Sequence, residues 1–222
     1  MIPKTIHYCW FGGAEKPPTV IRYINLWRRV MPDYVIKEWN ETNFDISRRA
    51  YTREAYALRN YAFVADVCRL EALWTEGGIY LDTDIEVLSR FDKFLHLHSF
   101  LGREHNFLGT GCIGAEAGSR WVKIFLDYYS RHHFINFFGH MCRTPNTKLL
   151  TVTLWPRIPA EERPIVFDFD YFCAKRWDNG EVQITPRTVC VHHFSCSWTR
   201  GHKTLAVRLY HLLLGLRVRY NF

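Results

Sequence analysis

The chain has 222 residues, of which 48% are hydrophobic and 23% are charged. This balance is typical of one folded domain and excludes a disordered or fibrous chain. No apolar stretch approaches the roughly 20 residues that a membrane-spanning helix needs, so we expect none. The formal net charge of +7 favours a polyanionic partner, either nucleic acid or an anionic membrane face, without distinguishing the two.

The seven cysteines are odd in number, scattered, and never spaced as CxxC. Together with the lack of a recognisable leader, they predict reduced thiols and a cytoplasmic location. A zinc site built from Cys190, His192, His193 and Cys196 is an alternative, although its spacing matches no standard zinc pattern.

The first elements alternate between strand and helix. Residues 2–10 predict a buried strand that Gly12 and Gly13 end. Thr19 is expected to cap a helix that reaches Val30, and residues 34–39 predict a second strand. Strand, helix and strand in this order are typical of an α/β fold with a parallel sheet.

The clearest helical pattern extends from about Arg53 to Trp74. One apolar stripe recurs there at helical spacing, formed by Phe63, Val67, Leu70 and Trp74. Gly77 and Gly78 are expected to end this helix, and residues 79–81 predict a short buried strand directly after it.

The second half gives weaker signals. It contains a glycine-rich run at 108–114, a predicted helix from Ser119 to about His132, and short predicted strands at 166–168 and 182–184. Residues 134–155 are interpreted as loops with one helix. From Lys203 the leucines and arginines predict a basic amphipathic helix, which either lies on an anionic membrane or packs on the domain.

Two carboxylates follow the predicted strand at 79–81. Because side chains alternate along a strand, Asp82 and Asp84 are expected to project from one face while Thr83 points away. Such a pair binds a hard divalent cation, Mg²⁺ or Mn²⁺, together with phosphate oxygens. The alternative is a solvated turn, but a buried strand would deliver the pair to the sheet edge where α/β proteins bind ligands.

Three segments resemble the DXD-containing sugar transferases of glycosyltransferase family 32. The central one comprises residues 66–73 and 77–84, with Asp82-Thr83-Asp84 as the DXD motif. Residues 2–13 resemble the N-terminal signature of the family, and residues 191–198 are similar to its C-terminal histidine and Ser-Trp motif. The three matches occur in the expected order and cover nearly the whole chain.

The resemblance implies a GT-A-like, Rossmann-type α/β domain with a mostly parallel sheet. It also implies a divalent cation, a UDP- or GDP-sugar donor, and transfer to a glycan or lipid-linked acceptor with retention of configuration. We expect this domain to span residues 1–200 and the basic helix to span residues 201–222. A cytoplasmic protein peripheral to the inner membrane face, with no nucleic acid partner, is the corresponding prediction.

The resemblance also implies residue roles. Asp82, Asp84 and His192 would hold the metal, and the donor would contact His7, Trp10, Asp66, Arg69, Tyr80, Asp82, Ser195 and Trp198. Each has a structural alternative: Trp10 and the histidines could be core residues, and Asp66 and Arg69 could form a surface ion pair. The family usually has glycine where this chain has Cys196, and a side chain at this position would shift the loop that carries Ser195 and Ser197.

Two other function classes fit parts of the pattern. A nucleotidyltransferase could use the same carboxylate pair, but it would be expected to carry a lysine-bearing phosphate loop, and Gly12-Gly13 is a poor match. A non-enzymatic binder of membranes or nucleic acid would use the basic tail, but it has no need for paired aspartates at a strand end.

Overall fold

The computed structural model describes residues 1–104, 106–176 and 179–195. The strands in these ranges are β1 (Thr5–Cys9), β2 (Val35–Trp39), β3 (Gly78–Leu81), β4 (Ile85–Val87), β5 (Ser99–Glu104), β6 (Phe107–Ala115), β7 (Ile165–Phe167) and β8 (Cys190–His192). Within the described residues, six of them form one sheet in the order β2-β1-β3-β6-β5-β7, and β4 pairs with β8 in a small antiparallel sheet.

Most strands of the large sheet point the same way. β1 is parallel to β2 and to β3, and β5 is parallel to β7, whereas β6 is antiparallel to both of its neighbours. The predicted α/β class with a mostly parallel sheet is therefore confirmed. The carboxyl ends of β1, β3 and β5 lie at one edge of the sheet, where folds of this type place ligands.

Helices cover both faces of the sheet. They are α1 (Pro18–Val30), α2 (Ala50–Ala57), α3 (Tyr61–Glu76), α4 (Arg120–Ser130), and the short α5 (Asn146–Lys148) and α6 (Phe169–Phe172). A π-helix spans Leu149–Leu154, and 3₁₀ turns span Ile46–Arg48, Asp92–Phe94, Trp155–Arg157 and Ala160–Glu162.

Strand alternation divides the core between the two faces. Ile79 and Leu81 of β3 pack in a cluster with Trp27 of α1, while Tyr80 packs in the other cluster with α3 and α4. Trp27 is fully buried, and its indole N–H donates to the carbonyl of Ile85 at 2.9 Å. Because both faces are covered, the central strand β3 is apolar and buried along its whole length.

The helix expected from Arg53 to Trp74 is two helices. α2 ends at Ala57 and α3 begins at Tyr61, and between them Arg59 has a φ of 57°. A non-glycine residue in this left-handed region ends a helix as a C-terminal cap normally does. The prediction of one continuous helix was wrong because no glycine or proline marks the break.

Several smaller predictions also differ from the structure. α1 begins at Pro18, before Thr19, as suits proline in a first helical turn. Residues 182–184 form no strand, only a single bridge between Val182 and Lys175. The helix predicted from Lys203, and the domain boundary at residue 200, lie outside the described residues. No helix of the described part is long and apolar enough to cross a membrane.

The left-handed residue between α2 and α3 gives a test of this break. Arg59→Gly should raise the free energy of unfolding by about 0.5–1 kcal/mol, because glycine adopts a positive φ without the clash of Cβ. The matched control is Arg29→Gly on an exposed part of α1, which should lower it by about 1 kcal/mol. Urea denaturation measures both, and a loss of stability in Arg59→Gly would contradict the observed break.

Candidate active site

The two aspartates lie in a turn at the carboxyl end of β3. The strand ends at Leu81, and the turn is closed by the N–H of Ile85 donating to the carbonyl of Asp82 at 3.0 Å. The N–H of Asp82 donates to the carbonyl of Gly111 on β6 at 2.8 Å. The sequence predicted that strand alternation would bring Asp82 and Asp84 together, but it is this turn that does so.

The C-terminal strand β8 brings a histidine to the pair. His192 lies opposite Ile85 in the β4–β8 ladder. Its Nε2 is 3.2 Å from Oδ1 of Asp84 and 4.0 Å from Oδ2 of Asp82. His193 faces the other way, where its ring bonds Glu86 at 2.7 Å and stacks on Tyr23. The sequence could not choose between the two histidines, and the ladder register selects His192.

These three side chains fit a divalent cation. One ligand atom each from Asp82, Asp84 and His192 lies within 4.8 Å of the others. The two carboxylates supply oxygen ligands of the kind that Mg²⁺ and Mn²⁺ prefer, and the imidazole adds a nitrogen ligand. Glu104, Cys173 and His192 form a second group at similar spacing, but its thiol suits a softer metal.

Gly111 leaves room for the site. A Cβ at this position would lie 2.9 Å from Oδ2 of Asp82 and 3.0 Å from Cε1 of His192. Both distances are shorter than normal non-bonded contacts, so any other residue at 111 would push against the proposed ligands. The glycine-rich run of residues 108–114 thus forms one wall of the site.

The turn that carries Asp82, Thr83 and Asp84 is called the DXD turn below. Arg69 joins it to α3 and β6. Its guanidinium donates to Oδ1 of Asp66 at 2.8 Å and to the carbonyl of Thr110 at 2.7 Å, and it lies 3.3 Å from Oδ1 of Asp82. Arg69 is only 5% exposed. The alternative of a surface ion pair between Asp66 and Arg69 is therefore wrong, because the pair is buried beneath the turn.

Tyr80 contacts both Arg69 and Asp82 in the same network. Its ring lies 4.5 Å from the guanidinium of Arg69, and its hydroxyl donates to Oδ1 of Asp82 at 2.9 Å. The ring is 2% exposed, so in this conformation Tyr80 orients Asp82 and has no free face for a nucleotide base.

The pKa values of Asp66 and Asp84 are shifted in opposite directions. Burial raises the pKa of Asp66 to about 7, although Arg69 opposes the shift. Burial also disfavours the charged form of Asp84, but His192 and the N–H of Ser195 hold the pKa of this carboxyl well below its ordinary value. Asp84 in turn raises the pKa of His192 well above its ordinary value despite burial. A bound cation would replace the proton of the imidazolium.

His7 and Trp10 occupy different environments. His7 is fully buried; its Nδ1 accepts from the indole of Trp39 at 3.0 Å, and its Nε2 lies 2.7 Å from the carbonyl of Gly77. Since the indole N–H can only donate, Nε2 must carry the proton. Trp10 is half-buried at the carboxyl end of β1, and its indole donates to the carbonyl of Ala14. Only Trp10 therefore lies at the ligand-binding edge.

The C-terminal motif is described only in part. The backbone N–H of Ser195 donates to Oδ2 of Asp84 at 2.7 Å, which fixes the carboxylate. Cys196, Ser197 and Trp198 lie outside the described residues. The zinc alternative does not form among its described members, because Cys190 is buried against the carbonyl of Phe172 while His193 pairs with Glu86.

A pocket beside the metal ligands was not predicted from the sequence. It has a volume of about 200 Å³ and is lined by Glu104, Asn106, Phe169, Cys173, Lys175, Arg176 and Phe194. Glu104 and Cys173 also line a narrow cleft bordered by His192 and Gly111. Glu104 was missed because β5, which ends on it, was not recognised as a strand. The signal that could have revealed Glu104 is a carboxylate at the end of a strand.

Comparison with known families identifies the DXD region. Residues 17–101 match the family described as "Glycosyltransferase sugar-binding region containing DXD motif". The matched segment includes Asp66, Arg69, Asp82 and Asp84. This match confirms the resemblance to the DXD-containing sugar transferases.

Two curated proteins are similar over parts of the chain. "Glucan organizing enzyme 1" of Cryptococcus neoformans is 49% identical over 47 residues, which are 21% of this chain and 13% of that protein. "Uncharacterized glycosyltransferase L373" of Acanthamoeba polyphaga mimivirus is 27% identical over 158 residues, which are 67% of this chain and 63% of that protein. The chain thus spans less than two thirds of either relative.

A solved structure shares the fold. It is a glycosyltransferase "involved in the glycosylation of the major capsid of PBCV-1", with 15% sequence identity and a TM-score of 0.51. The likeness covers 88% of this chain and 95% of that one. It agrees with the GT-A-like α/β class predicted from the sequence.

The wall formed by Gly111 gives a test of where the metal binds. Gly111→Ala should weaken Mn²⁺ binding about tenfold or more, because the added methyl group pushes on Asp82 and His192. Thr83→Ala, between the two aspartates, is the matched control and should bind Mn²⁺ as the wild type does. Titration calorimetry measures both affinities, with thermal melting to confirm the fold. Wild-type affinity in Gly111→Ala would place the metal elsewhere.

Proposed function

Since residues 17–101 are a DXD-containing sugar-binding region of a glycosyltransferase family, we propose that the protein transfers a sugar from a UDP- or GDP-sugar to a glycan or lipid-linked acceptor. The reaction depends on Mn²⁺ or Mg²⁺ and, as the family resemblance implies, retains the anomeric configuration. The observation that carries the proposal is the convergence of Asp82, Asp84 and His192 at the carboxyl edge of the sheet.

The three ligands have distinct tasks in this reaction. Asp82, Asp84 and His192 would hold a cation that would supply positive charge opposite the departing nucleoside diphosphate. Asp84, directly before β4, and His192 on β8 would hold it from the two sides of the β4–β8 ladder. Asp82 is oriented by Tyr80 and Arg69, so its carboxylate faces the donor without rearrangement.

The remaining donor contacts are assigned from the place of each residue in the fold. Trp10 lies at the end of β1, next to β3 in the sheet, and is placed to stack on the nucleotide base. Asp66 and Arg69 are buried beneath the DXD turn, and we propose that they hold Asp82 in place on the side of the ribose or donor sugar. We assign His7 a positioning role, since its ring ties β1 to Gly77. Ser195 and Trp198 are proposed to close over the diphosphate.

Removing the charge of one ligand tests the reaction. Asp84→Asn keeps an oxygen for the N–H of Ser195 but loses the carboxylate, so Mn²⁺-dependent donor hydrolysis across a panel of nucleotide sugars should fall at least about 100-fold. Asp33→Asn is the matched control, because Asp33 is an exposed carboxylate that pairs with Lys4 and Arg90. It should retain wild-type hydrolysis.

Two results would contradict the metal-dependent reaction. One is full activity of Asp84→Asn with an unchanged melting temperature. The other is undiminished turnover of the wild type in excess chelator. Activity on nucleoside triphosphates, without activity on any nucleotide sugar, would favour the nucleotidyltransferase alternative.

We place the acceptor in the pocket beside the metal ligands. Its volume of about 200 Å³ is below the roughly 300–1,000 Å³ of pockets for drug-sized ligands, and suits one sugar ring. Phe169 and Phe194 offer apolar walls for the ring, and Glu104 offers a hydrogen-bond acceptor for a hydroxyl group. Among the described residues, no hydrogen bond reaches the Glu104 carboxylate.

Glu104 provides the test of the acceptor site. Glu104→Gln should raise KM for the acceptor about tenfold, because a hydrogen bond from the hydroxyl to a charged group is lost. Donor hydrolysis in the absence of acceptor should stay within about twofold, since a hydrogen bond of this strength contributes only to acceptor binding. Glu86→Gln is the matched control, because Glu86 bonds His193 on the opposite side. If the KM of Glu104→Gln matches the wild type, the acceptor binds elsewhere.

The basic helix predicted for residues 201–222 is the basis for a proposed membrane location of the protein. Residues 201–222 would hold the enzyme on the anionic inner face of a membrane, near a lipid-linked acceptor, through their leucines and arginines. This segment lies outside the described residues, and its pattern of leucines and arginines supports the role.

A further inference from the structure

Two adjacent phenylalanines project into solvent. Phe137 is 98% exposed and Phe138 is 75% exposed, whereas every other phenylalanine of the described residues is buried or half-buried. A single exposed apolar side chain is common on protein surfaces. Two neighbouring aromatic rings with their faces in water form a patch that usually marks an interaction surface.

The segment that carries them, residues 135–141, is a closed turn and is called the aromatic turn below. The side-chain oxygen of Asn136 accepts from the N–H groups of Phe138 and His140, and the N–H of Asn136 donates to the carbonyl of His140. Gly139 allows the turn with a φ of 76°, and Ile135 pairs with Met141. The backbone thus holds both rings outward.

The aromatic turn is anchored at the edge that carries the site. Phe134, directly before it, packs on Phe63 in the first turn of α3 at 5.1 Å between ring centroids. Glu54 accepts from the N–H of Ile135, and the amide of Asn60 contacts the sulfur of Met141. Asp66 lies less than one helical turn after Phe63, so the rings project from the end of α3 that supports the DXD turn.

The sequence around the aromatic turn is basic, although the carboxylate of Glu54 bonds the N–H of Ile135 and the ring of His133. Residues 128–160 contain no aspartate or glutamate, but they contain Arg131, Arg143, Lys148 and Arg157. Arg131 and Lys148 are exposed. A surface with projecting aromatic rings and flanking cations fits the boundary between headgroups and acyl chains of an anionic bilayer, where rings enter the apolar layer and cations meet phosphates.

We propose that the aromatic turn inserts Phe137 and Phe138 into an anionic lipid surface. The contact depends neither on residues 201–222 nor on sugar transfer. A lipid surface fits better than a groove on another protein, because the rings lie at the tip of a closed turn and the basic residues of 128–160 are matched by no acidic residue in that segment. Insertion would turn the carboxyl edge of the sheet toward the membrane.

The test is co-sedimentation of the full chain with vesicles of equal parts phosphatidylcholine and phosphatidylglycerol. Phe137→Ser/Phe138→Ser should lower the partition coefficient about tenfold or more, since two rings no longer leave water. Ile184→Ser is the matched control, because Ile184 is an exposed apolar residue outside the cationic segment. It should bind vesicles as the wild type does.

Because both phenylalanines are exposed, replacing them should leave the fold intact. The double variant should melt at the wild-type temperature and hydrolyse donor at the wild-type rate, because neither ring packs in the core. Equal partition of the double variant and the wild type would overturn the proposal. So would a wild type that stays in the supernatant at low salt. If sedimentation velocity shows that the rings hold two copies together in the absence of lipid, the aromatic turn is a protein interface instead.

Discussion

The buried guanidinium of Arg69 is the contact on which the site depends. It links three elements: Asp66 on the same helix, the carbonyl of Thr110 on β6, and Asp82 in the DXD turn. Removing one partner of such a buried pair costs about 3–5 kcal/mol, because the charge left behind has no counter-ion. The network therefore resists independent movement of the helix, the strand and the turn. Lysine would keep the charge but lose the planar fork that reaches all three acceptors.

A second charge pair closes the site from the far end of the chain. Oδ1 of Asp84, directly before β4, lies 3.2 Å from Nε2 of His192 on β8. The two aspartates of the motif thus have different partners: a permanent cation for Asp82 and a titratable one for Asp84. A metal ion can replace the proton of His192 beside Asp84. Displacing Arg69 from Asp82, by contrast, would leave a buried arginine unpaired. The site is therefore preorganised on the Arg69 side and adjustable on the His192 side.

The sequence predicted the elements with strong local patterns. The strands at 5–9, 35–39 and 78–81 and the helix at 18–30 occur within a few residues of their predicted positions. The break between α2 and α3 was missed because Arg59 adopts a conformation that its side chain does not signal. Glu104 was missed because β5 and β6 are antiparallel partners joined by a tight connection, and their pattern was not recognised as two strands.

By itself, the sequence determined the fold class, the carboxylate pair and the resemblance of the DXD region to sugar transferases, because apolar periodicity and short motifs are local properties. Only the tertiary structure decided that the pair lies in a turn, that His192 and not His193 reaches it, and that Arg69 is buried beneath it. Each of these depends on the register between β4 and β8 or on the packing of α3 against β6. Such pairings join residues far apart in the chain, and a strand register shifted by one residue would exchange the two histidines.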